Sequence, residues 1–206
     1  MTTDAAITTH MIDDIIQISS EPVGRGRERT CYLHPEDPGK LIKISGDETD
    51  SQSRREIQFY QDYAKRASPD YRHLPRFHGL AKTNLGQGML VDYIRDHDGQ
   101  VSKSLRDYLD EGMSLPQATP YLNELKHYLL KNCVIFNHDM VTRNILLQHQ
   151  SAQTSLLVLI DGIGDVVALP WLNRFEFHAR SKIERRWNRF MQRLHDRIDQ
   201  ENANTG

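Results

Sequence analysis

Cysteine is nearly absent: Cys31 and Cys133 are the only two in 206 residues. They show no C-x-x-C spacing, so neither a disulfide framework nor a zinc site follows, and each is expected to act as a buried small hydrophobe inside an apparent strand. No apolar run approaches the length that a membrane-spanning helix needs. The stretch Met1 to Asp14 is polar with acidic residues and lacks the basic-then-apolar pattern of a secretory signal, which points to the cytoplasm. Excess charge of one sign is missing too. With 26 Lys and Arg against 28 Asp and Glu, the formal net charge is −2, and bulk charge gives no support to nucleic-acid binding. The ten histidines are scattered, His73 and His78 coming nearest to a pair, and are read as surface or loop residues and not as ligands.

What is present is ordinary for a globular chain: 26% charged and 38% hydrophobic residues. This length forms one domain or two small lobes around a cleft. The most informative stretch runs from Asn132 to Asp165. Cys133-Val134-Ile135-Phe136 is a compact apolar run, as are Ile145-Leu146-Leu147 and Leu156 to Ile160, the last two separated by a polar segment. These read as two short buried strands and a hairpin. Side chains suited to Mg²⁺ and hydroxyl chemistry sit in the flanking loops: Asp139, then Asn144 five residues on, then Asp161 in Asp161-Gly162-Ile163-Gly164. A nucleoside triphosphate carries dense negative charge, which a hard cation held by a few carboxylate or amide oxygens neutralises. The bland reading of the same residues is an Asp and an Asn in an exposed turn and an Asp-Gly turn after a strand.

Upstream, Ile15 to Ile18 opens a strand, and Val23-Gly24-Arg25-Gly26-Arg27 is a glycine turn before the strand Thr30-Cys31-Tyr32-Leu33. Gly24 and Gly26 let backbone N–H groups approach a phosphate, and Arg25, Arg27 and Arg29 add charge; a β-turn accounts for the same pattern equally, and Arg29 stands where a third glycine is wanted. Lys43 interrupts the apolar strand Leu41 to Ile44, either snorkelling from an edge strand or binding phosphate. A helix over Ser51 to Lys65, with Ile57, Tyr60 and Ala64 at helical spacing, carries Glu56. Gly88 to Ile94 is a strand leading to a hinge at Asp92 and Tyr93, whose backbone can face an adenine. A helix begun by Ser102 or Ser104 closes near Gly112, and Thr119-Pro120 reads as the cap of the next helix, buried through Leu122, Leu125 and Leu129. Ile183, Trp187, Met191, Leu194 and Ile198 recur at helical spacing in a closing helix. Arg185, Arg186, Arg189, Arg193 and Arg197 around it read as a solvated basic face, the alternative being a nucleic-acid or partner patch.

The loop Asn137-His138-Asp139 to Asn144 and the segment Asp161-Gly162-Ile163-Gly164 resemble the protein-kinase-like superfamily, with its H-R-D-x-x-x-x-N catalytic loop and D-F-G metal loop. Asn137 and His138 depart from the His-Arg pair, and Ile163, behind Gly162, from the Phe. Closer still, Arg29 to Asp37 together with Leu41-Ile42-Lys43-Ile44 is similar to the bacterial YrbL family, known as PhoP regulatory network proteins. The resemblance implies an α+β, compact protein-kinase-like fold: a small β-rich lobe over residues 1–94 and a mostly helical, truncated lobe over 95–206. It implies ATP and Mg²⁺ as cofactors. Asp139 would be the catalytic Asp, Asn144 and Asp161 the metal ligands, and Gly24, Gly26, Lys43, Glu56, Asp92 and Tyr93 nucleotide contacts, with Glu48 an alternative to Glu56 as the partner of Lys43. Lys43, Asp139, Asn144 and Asp161 are then expected to converge on one cleft. The function implied is phosphoryl transfer from ATP to an unidentified hydroxyl acceptor. A small-molecule acceptor is favoured, since the chain after Asp161 carries no Ala-Pro-Glu-like segment for a peptide platform. The alternative is a nucleotide-binding pseudokinase that works through a protein partner in a bacterial stress or two-component network.

Overall fold

The computed structural model describes residues 12–26, 29–46, 51–137, 140–165 and 176–205. The chain divides into two compact units, one taking the chain up to Ser53 with Arg76–Tyr93, the other taking Arg54–Pro75 with Ile94 onward.

The first unit is a six-stranded sheet of β1 (Ile12–Ile16), β2 (Gly24–Arg25), β3 (Arg29–Leu33), β4 (Lys40–Ser45), β5 (Phe77–Thr83) and β6 (Gly86–Asp92), in the order β1-β5-β6-β4-β3-β2. β1 lies parallel to β5 and the other pairs are antiparallel. Residues opposite each other in an antiparallel pair share a face. Tyr32, Ile42 and Leu90 stand in one such row, and with Ile18, Ile44 and Ile16 they make a hydrophobic cluster on one face. Gly88 sits in that layer because nothing larger fits: a Cβ there would lie 2.3 Å from Cγ2 of Ile42. The other row holds Cys31, Lys43 and Met89, with Gly24 opposite Cys31, so the alternation of β4 puts its lysine on the face away from that cluster. The β3–β4 turn is locked by its own polar groups. Nδ1 of His34 accepts the N–H of Glu36 and of Asp37, and Lys40 pairs with Asp37 at 2.9 Å, which holds that carboxyl below the usual carboxylate range.

The second unit contains α1 (Ser51–Ala64) from Arg54 on, α2 (Leu105–Asp110), α3 (Leu115–Lys131), the hairpin β7 (Ile145–His149) and β8 (Ser155–Leu159), and α4 (Glu176–Thr205). Segment 54–75 belongs here and not with the sheet, unlike in a single cut at residue 94. The hydroxyls of Tyr63 and Tyr128 donate to the carbonyl of Asp70, Nδ1 of His73 donates to the carbonyl of Leu157 at 2.6 Å, and the Leu159 N–H returns to the carbonyl of His73. His73 is thus buried, 1% exposed, and not a surface residue. Leu122, Leu125 and Leu129 line the buried face of α3 as their spacing requires. The helix starts earlier than Thr119-Pro120. Ser114 is its N-cap, giving its N–H and hydroxyl to Gln117, and Pro120 lies inside the helix, with the Thr119 hydroxyl turned back to the carbonyl of Leu115. Cys133-Val134-Ile135-Phe136 is not a strand. Cys133 turns the chain out of α3 at φ 50°, and only Phe136 makes a β-bridge, to Ile163. Among the described residues no helix is long and apolar enough to cross a membrane.

Candidate functional site

After the turn at Cys133 the chain runs inward, since Val134, Ile135 and Phe136 are buried, and this delivers Asn137 beside Gly162. Two hydrogen bonds flank the Phe136–Ile163 bridge: the Asn137 N–H to the carbonyl of Gly162 at 2.6 Å, and the Gly164 N–H to the carbonyl of Ile135 at 2.9 Å. The loop that opens at Asn137 and the segment Asp161–Gly164 are therefore bound as a short two-stranded ladder. Asp139 and His138 lie outside the described residues, as do Arg27 and Glu48.

Asn144 closes a 3-10 turn, Thr142–Asn144, whose compactness comes from its N–H bonding the carbonyl of Val141. The hairpin then sets Asn144 close to Asp161. Ile145 pairs with Leu159, and the Ile160 N–H donates to the carbonyl of Asn144 at 2.9 Å, so Asn144 and Asp161 stand at the same end of the β7–β8 hairpin. Both are half-buried. Oδ1 of Asp161 accepts the N–H of Gly162 at 2.7 Å, which fixes the carboxylate to its own turn. That turn needs glycines: Gly162 has φ 76° and Gly164 φ 101°, and a Cβ on Gly164 would meet the carbonyl oxygen of Arg55 in α1 at 3.0 Å. Among the described residues no group of three or more His, Cys, Asp or Glu gathers around one point. An Asn-Asp pair leaves most positions of a cation to water and ligand oxygens, which is how Mg²⁺ is commonly held at phosphate-binding sites.

The other residues singled out from sequence fall in different settings. Glu56 is fully buried in α1, and Lys43 is 8% exposed on the sheet face it shares with Cys31 and Met89. The glycine turn is a tight hairpin in which the Val23 N–H bonds Cys31 and the Gly26 N–H bonds Arg29, so those donors are already engaged. Neither Gly24 nor Gly26 is in the left-handed region, and a Cβ on Gly24 would meet only Cβ of Cys31, at 3.9 Å, so the fold gives little reason for glycine there. Arg25 is exposed and Arg29 buried. At the end of β6, Asp92 accepts from Nε2 of His78 at 2.6 Å and from the Arg76 N–H at 3.1 Å. The N–H groups of Asp92 and Tyr93 go to the carbonyls of Arg76 and Gly39. A base at this hinge must therefore be read by other atoms.

Sequence reading missed the support beneath the ladder. Asp165, its side chain 5% exposed, receives Lys182 at 2.5 Å and Arg186 at 2.6 Å from α4, and Arg186 also donates to the carbonyl of Phe136. Arg193, about two turns further along α4, donates to the carbonyl of Met140 at 3.1 Å. The signal was in the spacing: Arg186 lies three residues after Ile183 and four before Phe190, on the apolar stripe and not on the basic face.

A family model described as PhoP regulatory network protein YrbL matches residues 16–195. The uncharacterized protein YrbL of Escherichia coli (strain K12) is 33% identical over 184 residues, 86% of this chain and 87% of that protein, and the YrbL of Shigella flexneri matches to the same extent. Among solved structures, the Mycobacterium tuberculosis PknI kinase domain is similar over 68% of this chain at 16% identity and a TM-score of 0.49, and a mutant of that domain gives 0.47. This chain spans 57% of the length of that kinase domain.

Proposed function

The chain belongs to the YrbL family of PhoP regulatory network proteins, and from that premise we propose that it is an ATP- and Mg²⁺-dependent phosphotransferase acting on a small-molecule hydroxyl. The observation that carries this reading is the placement of Asn144 and Asp161, 17 residues apart in the chain, at one end of a hairpin whose backbone bonds fix that end. Two oxygen donors of this kind, with the rest of the shell left open, fit a cation that travels with a triphosphate. In this reading Asn144 and Asp161 hold Mg²⁺, which when bound neutralises charge on the phosphates. Lys43 contacts the α- and β-phosphates and Glu56 holds Lys43. Gly24 and Gly26 admit the nucleotide close to the backbone, Asp92 and Tyr93 flank the base, and Asp139 orients the acceptor hydroxyl and takes its proton.

The test is transfer or release of labelled γ-phosphate by the purified protein. Asp139→Asn keeps size and hydrogen bonding but loses basicity, so nucleotide affinity stays within a few-fold and turnover falls on the order of 10²-fold. A second reading, a pseudokinase that signals through a protein partner in the cytoplasm, is favoured by the engaged N–H groups of Gly26, Asp92 and Tyr93. It predicts nucleotide-independent partner binding and no γ-phosphate loss from the wild type.

A further inference from the structure

Arg186 touches both halves of the ladder from behind. Its Nη2 reaches Asp165, directly after the Asp161–Gly164 segment, at 2.6 Å, and its Nη1 donates to the carbonyl of Phe136, directly before Asn137. The guanidinium is a planar fork whose two nitrogens are held at a fixed separation, so one side chain sets the spacing of two acceptors in a way that a point-charged ammonium does not. The group is 8% exposed, and in that low-dielectric setting the ion pair is stiff against small displacements. Lys182 shares Asp165 and Arg193 holds the carbonyl of Met140, so α4 grips the backbone on both sides of the loop that opens at Asn137.

We propose that Arg186 is a positioning residue that clamps the loop at Asn137 to the Asp161–Gly164 segment, and through it sets the placement of Asn144 and Asp161 for a cation. The metal role rests on the function proposed above; the clamp itself does not. Two amides report it directly, those of Asn137 and Gly164, because they make the hydrogen bonds that join the two segments. The Leu159 N–H, bonded to the carbonyl of His73, is a reference in the same unit.

The experiment is hydrogen exchange resolved at single amides, together with the Mg²⁺ dependence of ATP binding, on the wild type, Arg186→Met and Arg186→Lys. Arg186→Met leaves Asp165 paired with Lys182, so no buried carboxylate is stranded, and Arg186→Lys keeps the charge if the first variant folds poorly. The clamp predicts exchange at Asn137 and Gly164 about tenfold or more faster in Arg186→Met, with Leu159 unchanged, and a smaller gain in Arg186→Lys. It also predicts a severalfold higher Mg²⁺ requirement for ATP binding. Equal acceleration at all three amides would make Arg186 a general stabiliser and overturn the clamp, as would no acceleration at Asn137 and Gly164. If those two amides respond but the wild type binds no Mg²⁺-ATP, the clamp stands and the phosphotransferase reading falls.

Discussion

His73 shows how much one side chain in a connecting segment can carry. It is packed against the Tyr128 ring at a centroid distance of 4.7 Å, gives its Nδ1 proton to Leu157, and leaves Nε2 3.7 Å from a carboxylate oxygen of Glu124. Burial pushes the imidazole below its ordinary 6.5, outweighing the attraction of Glu124. The unfolded chain therefore binds the proton more readily than the folded one. Stability from this site is complete above about pH 6.5 and is lost as pH falls from there through the lowered folded value. Urea midpoints between pH 8 and 5 should fall in that window for the wild type and show a shallower fall for His73→Gln; matching slopes would mean that other groups set the acid response. The position was not legible in sequence, since a histidine in a polar stretch, Tyr71 to Leu74, carries no periodicity that marks it as buried. The placement of Asn144 and Asp161 at the two chain ends of a hairpin was legible, because they flank the apolar runs Ile145 to Leu147 and Leu156 to Ile160.

Elements were read best where apolar spacing was long and unbroken. α4 was expected from Ile183, Trp187 and Leu194, and these are buried; its arginines were grouped by charge, which hid the one that belongs to the stripe. α3 was found but begun late, because Thr119-Pro120 imitates a cap. In the structure Pro120 is the sixth helical residue and exposed. It offers no N–H to the carbonyl four residues back, that of Pro116, and its ring crowds that carbonyl. Pro120→Ala restores the bond without touching the core. It should stabilise the protein by about 1 to 2 kcal/mol, less than the full cost of an interior proline because the unfolded chain also gains freedom. Chemical denaturation measures this directly, and a loss of stability would show that the helix is bent to fit at this point. Cys133 to Phe136 failed as a strand for a different reason: four apolar residues in a row mark burial, and burial alone does not choose between a strand and an inward-running turn.

At the scale of the whole molecule, the β-rich unit and the mostly helical unit were both legible, from strand-length apolar runs in one and helical spacing in the other. The position of segment 54–75 was not, because hydrogen bonds to α3 and β8, and not local pattern, assign it. Under the proposed function Lys43 and Asp161 both act on the nucleotide, and that proposal predicts coupled effects on affinity: Lys43→Met and Asp161→Asn together should cost less than the sum of the two alone. The central claim is that this chain holds ATP through a cation, and calorimetric titration of ATP with and without Mg²⁺ into the wild type and Asp161→Asn tests it most directly. Predicted is wild-type binding that tightens with Mg²⁺, and in Asp161→Asn a loss of that dependence with affinity at least about tenfold weaker, about 1.4 kcal/mol. No binding of ATP by the wild type, or the same Mg²⁺-dependent affinity in Asp161→Asn, would contradict it.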